Sequence, residues 1–334
     1  MTDLKNQSRI EIIQAMRLFA AIGITIFHCQ FLGNHGYFGV EIFNVISGFI
    51  VVYSTENKRR CSWFLLKKFI RIVPLYWTFT FLFYGIISII PSISVMSEAK
   101  PEYLIKSMLF IPFTNSRGFE TPILGAGWTL NYEMFFYLIF FLAIHISHKH
   151  RALICGTVLT GLVILHSFFA ESFIAQYYTN SILLEFVMGL IAFYILKLLS
   201  RIRIHKTSRF ILSVIVVVMV ILLAVNETAY ANVARCFRLG IPAVILFTVL
   251  ICLNRDKEFP NIFVKLGNAT YSIYLVEYFT SAAYKLFSAN KNMGIRFAML
   301  ILCILVTLLI GYFSYKIVEI RFGEWIKRKL KVSR

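Results

Sequence analysis

Arg17 and His28 stand eleven residues apart inside the first long apolar stretch of the chain, IEIIQAMRLFAAIGITIFHCQ, which runs from Ile10 to Gln30. A charge at that depth is expensive in lipid, so it faces a protein or water-filled interior. Arg17 lies too far from the end of the stretch to snorkel easily to the surface. At about 100° and 1.5 Å per residue, eleven helical steps return to within roughly 20° of the same face, about 16 Å further along. A cation and a titratable imidazole then line one wall at two depths. That suits a site where an anionic donor enters from one side and an acceptor from the other. Taken alone, His28 also reads as a polar residue at an interfacial helix end.

Further constellations follow in chain order. Lys67, Lys68 and Arg71 precede Pro74, Leu75, Tyr76 and Trp77. Lys67 and Arg71 are four apart and share a helix face. They read either as a cradle for phosphates, with Arg71 as the forked donor, or as an ordinary cytoplasmic basic cluster. Trp128-Thr-Leu-Asn131-Tyr-Glu133-Met-Phe-Phe-Tyr137 opens a later apolar run. Glu133 has apolar neighbours and is open to partnership with Arg17 or His28. It is either half of a structural ion pair or the carboxylate that orients a general base. Asn44-Val-Ile-Ser47-Gly48-Phe49 offers small residues, which in membrane helices usually mean close packing. The alternative is that Ser47 and Gly48 let a ligand chain pass near the backbone. Last, Glu277 lies in an apolar run beside Tyr271, Tyr274 and Tyr278. The tyrosines read as aromatic packing, whereas the acid needs a partner either way.

The elements that must position these residues are set by composition. Hydrophobic residues make up 59% of the 334 and charged residues only 15%, against nearer a quarter in a soluble domain. Apolar runs of bilayer-crossing length recur at roughly 10–30, 36–55, 72–92, 123–147, 152–170, 180–199, 210–226, 237–253, 262–285 and 295–317. They are continuous rather than alternating, which predicts helices. The expected fold is an all-α polytopic membrane helix bundle of about ten transmembrane helices. The net charge of +18 taken alone suggests nucleic acid, but its distribution points elsewhere. With the N-terminus cytoplasmic, 25 of the 34 Lys and Arg fall in inside segments and 8 outside, with Arg17 intramembrane. That is the positive-inside pattern, with N- and C-termini both cytoplasmic. The basic face then meets anionic lipid of the bilayer, and a polyphosphate ligand would also find it.

No cleavage pattern follows the first run, so it reads as an uncleaved span. Six single cysteines form no CxxC pair, which argues against a metal site and against a disulfide framework. Three segments lie between or beyond the runs. Residues 56–71 read as a basic amphipathic cytoplasmic piece that lies at the interface or dips into it. Residues 93–122 form the longest external stretch and could cover an external mouth. Residues 321–334 read as a basic cytoplasmic helix. There is no internal repeat and no composition break, so 1–334 is expected to be one domain.

These residues, in this order, resemble the acyltransferase-3 family of integral membrane acyltransferases. The motifs that carry the likeness are Arg17 with His28, Ile46-Ser-Gly-Phe49, the run from Arg71 to Trp77, and Trp128 to Tyr137. The match covers positions 10 to about 320. The wording FLLKKFIRIVPLYW and LGAGWTLNYEMFFYL is similar to members that acetylate bacterial exopolysaccharides and O-antigens. Two positions depart from the pattern. Glu277 stands where relatives often have His, and the closing Glu-x-Pro reads Glu319-Ile-Arg321. The resemblance implies a membrane-embedded acyltransferase domain in the bacterial inner membrane, multi-pass, with acetyl-CoA as donor co-substrate. It implies that Arg71, Lys68 and Lys67 meet the donor phosphates. Ser47, Gly48, Tyr76, Trp128 and Arg17 would line the donor's path. His28 would be the base on a sugar hydroxyl of a polysaccharide or lipid-linked oligosaccharide, held by Glu133. Asn131, Tyr137, Tyr271, Tyr274 and Glu277 complete the candidate set. The competing readings are a flippase of lipid-linked glycans, an acyltransferase with a non-sugar acceptor, and a non-catalytic membrane scaffold. Transporters often show internal repeats, and none is present here.

Overall fold

A computed structural model describes residues 2–31, 33, 36–56, 63–169, 171–200, 202, 204–226, 234–255 and 257–330. Among these residues the regular elements are helical and no strand occurs. In chain order the helices are α1 (Thr2–Cys29), α2 (Gly39–Thr55), α3 (Phe64–Ile89), α4 (Pro101–Met108), α5 (Gly127–Ile146), α6 (Arg151–Ile164) and α7 (Phe173–Tyr178). They continue as α8 (Leu183–Leu199), α9 (Lys206–Asn226), α10 (Ile241–Asn254), α11 (Asn261–Asn268), α12 (Thr270–Ser288), α13 (Met293–Ser314) and α14 (Gly323–Lys329).

Among the described residues, eight helical segments are long and apolar enough to cross a bilayer: 11–29, 64–89, 127–146, 151–169, 173–199, 206–225, 236–254 and 293–329. The chain is therefore a multi-pass membrane protein. The two remaining runs depart from expectation. Run 36–55 yields α2, only 17 residues long. The turn before it is drawn down against α1. A Cβ on Gly39 would lie 2.5 Å from the Ala20 carbonyl oxygen, and one on Gly36 would lie 2.2 Å from that of Gly23. Run 262–285 is broken into α11 and α12 at Ala269, and α11 packs so closely on α1 that a Cβ on Gly267 would lie 2.2 Å from the Gln14 carbonyl oxygen.

Two segments beside the runs take defined form. The segment FLLKKFIR forms the opening turns of α3, so Lys67, Lys68 and Arg71 sit inside a membrane-length helix that runs on through Pro74. The first part of the basic stretch, 57–62, and Cys61 with it, lies outside the described residues. At the C-terminal end α13 runs on as one helical rod through the wide, π-type turns of Tyr315–Phe322 into α14. Residues 331–334 lie outside the described set.

The chain divides into two compact units. The first comprises Met1–Lys58, Ala152–Val163 and Asn180–Thr270, the second Arg59–Arg151, Ile164–Thr179 and Tyr271–Arg334. The first is built around α1, α2, α8 and α10, with α9 against α10 and α11 against α1. The second is built around α3, with α4, α5, α14 and the wide turn 315–322 against it. In the second unit the stretch 93–122 is a folded loop. Asn115 Oδ1 accepts from the backbone of Arg117 and Phe119, both at 3.0 Å, and its Nδ2 donates to Met96 O at 2.6 Å. Trp77 ties this loop to α3 by donating from Nε1 to Met108 O at 2.9 Å.

Candidate active site

α1 is one unbroken helix from Thr2 to Cys29, so the register between Arg17 and His28 is that of a regular α-helix. Both residues are half-buried, while Ala21, Ile24 and Thr25, which lie between them on the same side, are fully buried. Phe19, about 200° around the helix from Arg17, is 61% exposed. The charged face of α1 thus points away from its outward apolar face. The helix stops just beyond His28, where Gln30 takes φ +54°, a left-handed conformation that ends helices. His28 therefore occupies the last turn.

In α2, Ser47 and Gly48 are packed against α8. A Cβ on Gly48 would lie 2.1 Å from the Phe186 carbonyl oxygen, and one on Gly189 would lie 2.2 Å from that of Val45. The glycine pair is what lets two backbones cross in contact.

The second unit gathers most of the other candidates. Arg71 donates from Nε to Glu319 Oε1 at 3.1 Å, and Ser272 holds the second Glu319 oxygen at 3.1 Å. Glu133 and Tyr137 of α5 lie within electrostatic reach of the same guanidinium. Tyr137 donates to Glu133 Oε1 at 2.5 Å. The Lys68 ammonium lies 4.2 Å from the centre of the Tyr137 ring. Glu133 is thirteen residues from the C-terminal end of α5, about 20 Å along the helix. Glu133 thus stands in the first half of a membrane-length helix, with Tyr137 one turn further along. Lys67 is half-buried on the turn before Arg71. Arg17 and His28, the expected partners of Glu133, belong to the first unit.

The remaining residues support this cluster. Tyr271 donates to Ile72 O at 2.7 Å, tying α12 to α3 one residue from Arg71. Tyr274 donates to Ala126 O at 3.0 Å and meets Thr129 Oγ1 at 2.9 Å. Tyr76 is fully buried, and a Cβ on Gly127 would lie 2.3 Å from its hydroxyl. Asn131 is buried, and the backbone carbonyl of Trp128 accepts from Tyr177 at 2.8 Å. Glu277 is fully buried in α12, and the neighbouring Tyr278 packs over Gly125.

Residues 10–316 match an acyltransferase family model, described as an acyltransferase domain. The chain belongs to the acyltransferase-3 family. Among relatives of this acyltransferase, the exopolysaccharide production protein ExoZ of Rhizobium meliloti (strain 1021) is 32% identical over 175 residues, covering 50% of this chain and 54% of ExoZ. The chain thus matches about half the length of that relative. The acyltransferase MdmB of Streptomyces mycarofaciens is 25% identical over 288 residues, covering 77% of this chain and 70% of MdmB. No solved structure matches.

Four charged residues of this acyltransferase escaped the sequence reading as site members. Glu319 entered only as a departure from the family's closing motif. Glu41 and Glu185 lie in the runs 36–55 and 180–199, so the argument that singled out Glu277 applied to them equally. Arg235 was counted as a loop cation, yet its side chain is only 20% exposed and paired with Glu41.

Proposed function

We propose that this acyltransferase moves an acetyl group from cytoplasmic acetyl-CoA to a sugar hydroxyl of a surface polysaccharide, an O-antigen or exopolysaccharide, or of its lipid-linked precursor. The reading places the chain in the bacterial inner membrane, with ten spans and both termini cytoplasmic. The observation that carries it is the Arg71–Glu319 pair. Glu319 takes the Nε of Arg71, which leaves the two terminal nitrogens as a planar fork suited to a phosphate. Lys67 and Lys68, on the same opening turns of α3, add positive charge for a polyanionic donor. The name of ExoZ supports a polysaccharide acceptor.

In this reading His28 is the base. It takes the proton of the sugar hydroxyl, whose oxygen attacks the thioester carbonyl carbon. The carbon–sulfur bond breaks, and the CoA thiolate leaves and is protonated in turn. The products are an O-acetyl ester and free CoA. Arg17 or Trp128 stabilises the developing oxyanion or positions the thioester. A carboxylate holds the imidazole in its tautomer, a role the family resemblance gives to Glu133.

The test uses purified protein in nanodiscs with acetyl-labelled CoA, alone and with polysaccharide repeat units, for wild type beside His28→Ala. Transfer of label to carbohydrate by wild type alone is the expected result. Full transfer by a folded His28→Ala sinks the base assignment. Absence of both acetyl-CoA binding and CoA release sinks the acetyl-CoA reading.

A further inference from the structure

The first unit holds a second charged assembly that the proposed chemistry leaves without a role. Glu41, in the first turn of α2, and Glu185, in the first turn of α8, are both fully buried. Arg235 stands just before the wide turn that leads into α10. It donates from Nε to Glu41 Oε1 at 2.6 Å, and its Nη2 lies 2.5 Å from the same oxygen. Glu185 Oε1 lies 3.8 Å from the Arg235 Nε, and Asn44 Nδ2 donates to the other Glu185 oxygen at 2.8 Å. Arg235 Nη1 donates to the Tyr37 hydroxyl at 2.9 Å, and the guanidinium carbon lies 4.4 Å from the centre of the Tyr37 ring.

Tyr37 is the link to α1. Its ring centre lies 4.9 Å from that of Phe27, and Phe27 lies 5.2 Å from the His28 ring. The backbone behind these rings is in contact as well, since Gly36, at φ +113°, sits against Gly23 and the Cβ of Phe27. A buried ion network is weak evidence for stability, because desolvation offsets much of the attraction. Its better use is to specify one geometry. One guanidinium here fixes α2, α8 and the turn that packs on the last turn of α1.

We infer that Arg235, held by Glu41 and Glu185, is a positioning residue for His28 and acts through Tyr37 and Phe27. The inference rests on the reading of His28 as base. The planar fork is what the role needs, because it addresses a carboxylate and a phenol at once, and an ammonium on a flexible stem does not. A base displaced by about 1 Å loses on the order of a hundredfold in rate.

Tyr37→Phe keeps the ring against Phe27 and removes its bond to Arg235. Arg235→Lys keeps the charge for the two carboxylates and removes the fork. Arg235→Ala would strand two buried carboxylates and is avoided. Activity is read per folded molecule in nanodiscs, with elution profile and unfolding midpoint recorded. The expected result is a fall in kcat of about tenfold for Tyr37→Phe and more for Arg235→Lys, with KM for acetyl-CoA within about twofold of wild type. Wild-type kcat in both single variants overturns the inference. Full activity in His28→Ala alone would instead strike the base assignment, which is a separate outcome.

Discussion

Arg71 and Glu319 join the opening turns of α3 to the wide turn beyond α13, and the bond between them decides how the guanidinium meets a phosphate. A charge-assisted hydrogen bond contributes about 1.5–3 kcal/mol. Losing the donor's phosphate grip in Arg71→Ala is therefore expected to raise KM for acetyl-CoA by roughly 10–100-fold, with kcat little changed. Glu319→Gln keeps an acceptor for Nε but removes the charge that fixes the fork, so KM is expected to rise by about tenfold. Steady-state kinetics on both variants checks this, and a Glu319→Gln enzyme with wild-type KM removes the orienting role. Arg71 was legible in the sequence because a basic cluster before an apolar run stands out. Glu319 was not, since nothing local shows that a residue 248 positions away returns to the same place. Glu41 and Glu185 were legible in kind, as acids within apolar runs, and only their convergence on Arg235 required the fold.

At the scale of elements, the crossing of α2 and α8 depends on two glycines. A Cβ on Gly48 or Gly189 would fall 2.1 Å or 2.2 Å from a backbone carbonyl oxygen of the other helix, and backbone cannot step aside as a flexible side chain can. Gly48→Val or Gly189→Val is expected to destabilise by more than about 3 kcal/mol, at or beyond the upper end for overpacking. The readout is loss of monodisperse protein or a lowered unfolding midpoint in detergent. Gly85→Ala and Gly161→Ala, where nothing lies within 4 Å, serve as controls and are expected to be neutral or slightly stabilising. The apolar runs were legible because bilayer length is written directly into composition. Their breaks were not. A run of apolar letters displays neither the shortness of α2, nor the break at Ala269, nor the close glycine contacts that Gly36, Gly39 and Gly267 make with α1. The three cations in FLLKKFIR suggested a piece at the interface or dipping into it, and the fold adds what the letters do not show, that Arg71 meets Glu319 and Lys68 meets the Tyr137 ring.

For the whole molecule, the charge asymmetry makes a topological claim that the two atypical helices put at risk. Among the described residues eight segments cross by length and apolarity, an even number that already leaves both termini on one side, and the division of the cations into 25 inside and 8 outside requires α2 and α12 to cross as well. Each can be tested by single cysteines placed on either side of it. The five described native cysteines are all buried, so Cys61→Ser is expected to give a background silent to an impermeant maleimide. Between Gln7 and Arg117 lie the membrane-length helices α1 and α3, together with α2. If α2 crosses, Gln7→Cys is protected in intact cells and Arg117→Cys is labelled; if it does not, the two behave alike. Between Lys149 and Lys291 lie the segments 151–169, 173–199, 206–225 and 236–254, together with α12. If α12 crosses, Lys149→Cys is protected and Lys291→Cys is labelled, whereas shared behaviour would leave α12 folded back on one side. The expectation is opposite labelling in both pairs. The reason is energetic: the cations fall 25 inside against 8 outside only when both helices cross. Removing either crossing would reverse every later segment and place the seven Lys and Arg from 316 onward on the external face.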